Sequence, residues 1–159
     1  MAELPVVSLV QLFKQNLEAV DGHCIVVENE TEVEETVKRL TEGKRIATSD
    51  ASRSDLFKYD AGITSAQAGI AETGTLVLDS SVERNRLVSL VPPVHIAILD
   101  ASRIYQTLGE TLTALQSGEE VSPAITFITG PSRTADIELT LAIGVHGPQE
   151  LYVIINRNN

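Results

Sequence analysis

The sequence predicts an α/β protein in three layers, a mostly parallel sheet with helices on both faces. Three observations carry this. Short, nearly uniform apolar runs such as His23–Val27, Val94–Leu99 and Leu151–Ile155 read as strands covered on both sides. Between such runs, apolar residues recur at helical spacing. Finally, 159 residues with 43% hydrophobic and 21% charged side chains suffice for one core, so 1–159 reads as a single domain.

The elements follow in order. Ser8 and Gln11 form a capping box for a first helix, whose inner face carries Val10, Phe13, Leu17 and Val20. Asp21-Gly22 stops it, and strand His23–Val27 follows. Thr31 and Glu34 form a second capping box. Val33, Val37 and Leu40 face inward on that helix, while Glu34–Lys38 and Glu35–Arg39 pair outside. Gly43 ends it, Arg45–Thr48 is a short strand, and residues 49–60 are a polar loop with a helical turn. From Ala61 glycine and alanine become dense. Leu76–Leu78, Val94–Leu99, Ala124–Ile128 and Leu151–Ile155 read as strands, Leu108–Leu115 and Ala135–Ile143 as helices. The tail Asn156–Asn159 reads as frayed.

The formal net charge of −10 describes a solvated acidic surface and argues against broad nucleic-acid binding or an anionic membrane surface. The single cysteine, Cys24, excludes an intrachain disulfide and a four-cysteine iron–sulfur cluster within the chain. Its apolar neighbours make it a buried small residue. Met-Ala-Glu-Leu-Pro is not a signal peptide, and no apolar run reaches the length of a membrane span, so the cytoplasm is the simplest location. His23, His95 and His146 show no metal-ligand spacing, and no metal site is expected.

In open α/β sheets ligands bind beyond the carboxyl ends of the strands. Two segments suit that place. "TGPSRTADIE", Thr129 to Glu138, follows a strand and is expected to open a helix. There Gly130 permits a tight turn, Ser132 and Thr134 can cap the helix, and Arg133 offers a guanidinium to a carboxylate or phosphate. Asp136 either favours the helix end or orients Arg133. "AGIAETGTLVL", Ala68 to Leu78, sets Glu72 and Thr73 between Gly69 and Gly74. Glu72 is a candidate base or nucleophile, or simply a solvated residue of a hairpin turn. Between them, "ERNRLVSLVPPVHIAIL" (Glu83 to Leu99) carries Arg84, Arg86 and His95. His95 and His146 are each either catalytic or structural. The five basic residues of 61–159 are all arginine, which suits planar anion recognition.

"AETGTLVL", "RLVSLVPPVHIAIL", "ITGPSRTADIE" and "GVHGPQELYVII", in this order over about residues 61–156, resemble the LutC/YkgG branch of the LUD domain family. Beside that family, the N-terminal half is shortened. The resemblance implies a fold similar to the NagB/RpiA/CoA-transferase-like group. It also implies a part in oxidising L-lactate to pyruvate, beside iron–sulfur subunits, as the component without clusters. The family pattern falls on Glu72, Thr73, Gly74, Arg86, Pro92, Pro93, His95, Gly130, Pro131, Ser132, Arg133, Thr134, Asp136, His146 and Gly147.

These readings name Glu72 and His95 as candidate catalytic groups. Thr73, Gly74, Arg86, Gly130, Ser132, Arg133, Thr134, Asp136 and His146 are candidate contacts to a small carboxylate or phosphate-bearing ligand. No covalent or metal-held cofactor is expected, and a nucleotide or CoA-like ligand stays open, as does homo-oligomerisation. Two alternatives stand beside the accessory subunit. One is a free-standing CoA-transferase-like enzyme using Glu72, by fold analogy. The other is a non-catalytic binding or assembly protein whose glycines and prolines serve turns.

Overall fold

The structure, a computed structural model, describes residues 4–83, 85–117, 124–134, 142–143 and 147–158. Its centre is a five-stranded parallel sheet. The strands are β1 (His23–Val27), β2 (Ile46–Ala47), β3 (Ala61–Ser65) and, further along the chain, β6 (Val94–Asp100) and β11 (Glu150–Asn156). Their spatial order is β1-β11-β6-β3-β2. Two helices cover its faces. On one face α2 (Glu30–Leu40) places Val33 against Val27, Ile96 and Ile154. On the other α1 (Val6–Ala19) drives Phe13 and Leu17, both fully buried, against Leu99, Val153 and Ile155.

The caps differ from the expected ones. Helix α1 begins two residues before Ser8 and has no side-chain cap. Helix α2 is capped by Asn29, whose side chain accepts from the Glu32 amide, while the Glu32 carboxylate accepts from the Glu28 amide. Asp21 does stop α1, in the left-handed region at φ 65°, and Gly43 lies beyond α2 at φ 71°.

The larger difference is a second sheet. Strands β4 (Ala68–Ile70), β5 (Thr75–Asp79), β7 (Ile104–Tyr105) and β8 (Ile125–Thr129) form a mixed sheet of order β7-β4-β5-β8. The runs around Leu76–Leu78 and Ala124–Ile128 thus pair antiparallel with each other, outside the parallel sheet. Alternation within β4 and β5 explains it. Gly69 and Leu76 point to the α1 core, whereas Ala68, Ile70 and Val77 point outward to Leu115 of α3 (Leu108–Leu115). Gly69 marks the close approach: a Cβ there would lie 2.9 Å from Leu99 and 3.0 Å from Phe13.

No helix begins at Ser132. Arg133–Thr134 forms β9, antiparallel to β10 (Ala142–Ile143). The rest of the expected helix Ala135–Ile143 lies outside the described residues. The tail is tied down as far as Asn158. Asn156 donates to Glu30, Arg157 pairs with Glu28, and Asn158 donates to Asp100. Among the described residues no helix is long and apolar enough to cross a membrane.

Candidate functional site

The carboxyl rim of the parallel sheet is closed on one side and open on the other. Over β1, β11 and β6 the anchored tail fills it. Beyond β2 and β3 a cavity of about 270 Å³ remains, lined by Arg53, Ser80, Glu83, Asn85, Arg86 and Leu87, with Ala124 at its edge. Local folding explains the placement. After β5 the Asp79 carboxylate accepts from the amide and hydroxyl of Ser81, turning the chain, and the Glu83 amide donates to the Asp79 carbonyl. The chain then runs back along the sheet as a 3₁₀ turn, Arg86–Ser89. Gly62 of β3 admits this turn, since a Cβ there would lie 2.1 Å from the Val88 carbonyl oxygen.

Glu83 is only 7% exposed. One carboxylate oxygen accepts from the Ser65 amide at the end of β3, 3.3 Å away. The other, Oε1, has no hydrogen-bond partner, and neither do Asn85 Oδ1 and Ser80 Oγ. Asn85 is held in orientation by its Nδ2, which donates to the Ala51 carbonyl at 2.9 Å. Burial pushes the Glu83 carboxyl above its ordinary value, against the Ser65 and Asn85 amides, which pull it down. Buried polar atoms are normally paired, so three unpartnered ones on residues of one cleft are an unusual concentration, each of them shut off from solvent. Arg53 and Arg86 are exposed. The cleft therefore sets the exposed side chains of Arg53 and Arg86 beside the more buried Glu83 and Asn85.

The other predicted residues lie elsewhere. Glu72 and Thr73 are exposed on the turn between β4 and β5, and Gly74 closes that turn at φ 64° against the backbone of α1. Thr73, Thr75 and Thr129 share a chain of hydroxyl contacts of 2.8 and 2.7 Å, which brings the 72–74 turn beside Gly130, at φ 73°. Gly130 and Ser132 line a second cavity of about 250 Å³ with Leu90, Phe127 and Leu151. The Ser132 amide donates to the Pro148 carbonyl, and the Gln149 amide to the Pro93 carbonyl. This cavity therefore sits at the amino ends of β6 and β11, the opposite rim from the expected one, and its described lining has no charged side chain.

His95 is 1% exposed, in β6, with Nε2 at 2.7 Å from Thr64 Oγ1 and Nδ1 unpartnered. Burial lowers its pKa to about 4. The described part of Arg133 and Thr134 is the backbone of β9, and Asp136 and His146 lie outside the described residues. The structure thus brings Arg86 to the carboxyl-rim cleft, gathers Gly130 and Ser132 at the amino rim, and leaves Glu72 exposed on the turn beside Gly130, outside the described lining of either cavity. Sequence reading missed Arg53, Ser80, Glu83 and Asn85. The one signal for Glu83 was its place at the head of the "ERNR" run.

Cys24 behaves as its apolar run implies. It is 8% exposed, and burial pushes its thiol up to about 12. A disulfide reagent at pH 8 should therefore label the native chain far more slowly than the urea-unfolded chain. Equal rates would contradict the burial.

The fold and the cleft define a three-layer α/β protein with a polar cleft at the carboxyl ends of a parallel sheet. The chain belongs to the LUD domain family, whose model matches residues 46–156. It is similar to an uncharacterised protein of Neisseria meningitidis, 46% identical over 107 residues, covering 66% of this chain and 46% of the relative. It is also similar to lactate utilization protein C of an Exiguobacterium species, 40% identical over 112 residues, covering 67% of this chain and 49% of the relative. This chain spans about half the length of these relatives. Its fold matches the crystal structure of a DUF162 family protein from Deinococcus radiodurans. The TM-score is 0.74 at 22% identity, over 96% of this chain and 99% of that one.

Proposed function

We propose that this chain serves in lactate utilisation as a component without iron–sulfur clusters, binding a small carboxylate in the carboxyl-rim cleft. The name of its relatives supports the pathway. The observation that supports the binding is the pair Arg53 and Arg86 at the mouth of a cleft where an α/β sheet ordinarily takes its ligand. The volume of about 270 Å³ favours a small acid over a nucleotide or CoA, since even drug-sized ligands fill pockets of about 300–1,000 Å³. Electron transfer then falls to iron–sulfur partners in the cytoplasm, because the one cysteine of this chain cannot hold a four-cysteine cluster.

Calorimetric titration with L-lactate and with pyruvate tests the reading. Binding of at least one is expected, and at 100 times the dissociation constant it should raise stability by about 2.7 kcal/mol. Arg86→Ala should weaken binding about ten-fold or more while costing under about 1 kcal/mol of stability, the usual cost at an exposed position. Heats of dilution alone with both acids would overturn the assignment.

A further inference from the structure

We infer that the 3₁₀ turn Arg53–Lys58, packed on the outer strand β2, is a docking surface for an acidic segment of another protein, with Phe57 as its apolar anchor. The inference stands apart from the small-carboxylate reading. Phe57 is 87% exposed, more than any other large apolar side chain among the described residues. Local packing sets its direction. Leu56 is buried against Ala47 of β2 and against Val88. Neighbouring side chains of a 3₁₀ turn stand a third of a turn apart, so seating Leu56 sends Phe57 outward. The turn is also tied to the strand. The Asp60 amide donates to the Arg45 carbonyl at 2.8 Å, and the Asp60 carboxylate accepts from the Arg45 amide and guanidinium.

Charge defines the partner. Residues 38–60 hold six of the chain's twelve lysines and arginines but four of its 22 acidic residues, a net +2 on a chain of net −10. All six basic side chains (Lys38, Arg39, Lys44, Arg45, Arg53 and Lys58) are exposed. Two of the four acids are already engaged, Asp60 with Arg45 and Asp55 with Lys58. Among the described residues Lys44 and Arg53 have no ion pair. Exposed charges act over about 8–10 Å at physiological salt, so the patch attracts acidic groups despite the overall sign of the chain. Phe57 adds the contact that excludes water, since aromatic side chains and arginine are enriched at the centres of protein interfaces. Nucleic acid fits less well, because Asp50, Asp55 and Asp60 interrupt the basic residues. The partner this surface fits carries Asp and Glu around an apolar side chain or pocket. Arg53 both heads the turn and lines the carboxyl-rim cleft, so a partner seated here borders the mouth of that cleft.

The test places the photo-crosslinking residue p-benzoylphenylalanine at position 57 of the full chain in its native host. Irradiation should join it to net-negative peptides of another protein, and Lys44→Glu in the same chain should cut the yield about five-fold or more. With that partner purified, Phe57→Ser should weaken binding about ten-fold or more. The urea midpoint of this variant should stay unchanged, as is usual for an exposed position. Raising the salt from about 0.1 to about 1 M shortens the screening length from about 10 to about 3 Å and should weaken binding as well. Cross-links only to a second copy of this chain, to nucleic acid or to peptides without net negative charge overturn the proposal. So do the absence of cross-links, a yield indifferent to Lys44→Glu, and binding indifferent to Phe57→Ser or to salt.

Discussion

Lowering the pH from 7.5 to 5 should cost the fold about 2 kcal/mol through His95 alone, rising to about 3 kcal/mol by pH 4. Burial holds the imidazole at about 4, against an ordinary 6.5. Between those values the unfolded chain takes up a proton that the folded chain refuses, so stability falls as pH falls. The contribution is fully present above 6.5 and is lost progressively toward 4. The cause is geometric. His95 is the second residue of β6 and 1% exposed, its Nε2 meets the Thr64 hydroxyl, and Nδ1 has no acceptor to stabilise an added proton. Urea unfolding at pH 7.5 and pH 5 measures the effect. His95→Gln keeps a group able to bond Thr64 and should remove about 2 kcal/mol of the difference between the two pH values. An equally steep loss in the variant would show that His95 does not titrate in this window.

Gly74→Ala should destabilise the protein by about 2–5 kcal/mol, combining left-handed strain with overpacking. Gly74 sits at φ 64° on the turn from β4 to β5, and an added Cβ would lie 2.4 Å from the Leu17 amide nitrogen and 2.8 Å from its Cα. Both atoms are backbone of α1, so neither can swing aside. Gly43→Ala is the control, since Gly43 has φ 71° but nothing within 4 Å of its Cβ position. It should cost only the strain, about 1–2 kcal/mol. Urea midpoints at constant slope give both values. If the two variants lose the same stability, the 71–74 turn is not seated on α1, and the second sheet is not anchored as described.

This contact also shows why the sequence reads as glycine-rich where it does. Gly62, Gly69 and Gly74 each mark a place where backbone or core side chains come closer than a Cβ allows. Glycine density from residue 61 onward was legible, but its meaning required the partners, which lie in other parts of the chain.

Elements with a strong short-range pattern were read correctly, whereas the glycine-bearing strand β3 (Ala61–Ser65) was not read as a strand. The strands of the parallel sheet carry runs such as Val94–Leu99 that suit only a site covered on both faces, and α2 and α3 show helical spacing over most of their length. The strand Leu76–Leu78 was legible as a strand but not as a member of a second sheet. Its residues are apolar on both sides because one side meets α1 and the other α3, which looks the same in sequence as burial within the parallel sheet. The stretch after Gly130 offered caps and a charge that suited a helix start, but pairing of residues 133–134 with 142–143 decided in favour of a strand.

By itself the amino-acid sequence determined the α/β class, four of the five parallel strands (all but β3), the family and the arginine at position 86, because periodicity, apolar runs and motif order are properties of neighbouring residues. Only the tertiary structure decided that Glu83 is buried, that Asn85 and Ser80 join it, and that His95 belongs to the core. Desolvation depends on what packs around a group, and those neighbours come from β3, the loop after β2 and the end of β5, which no local spacing connects.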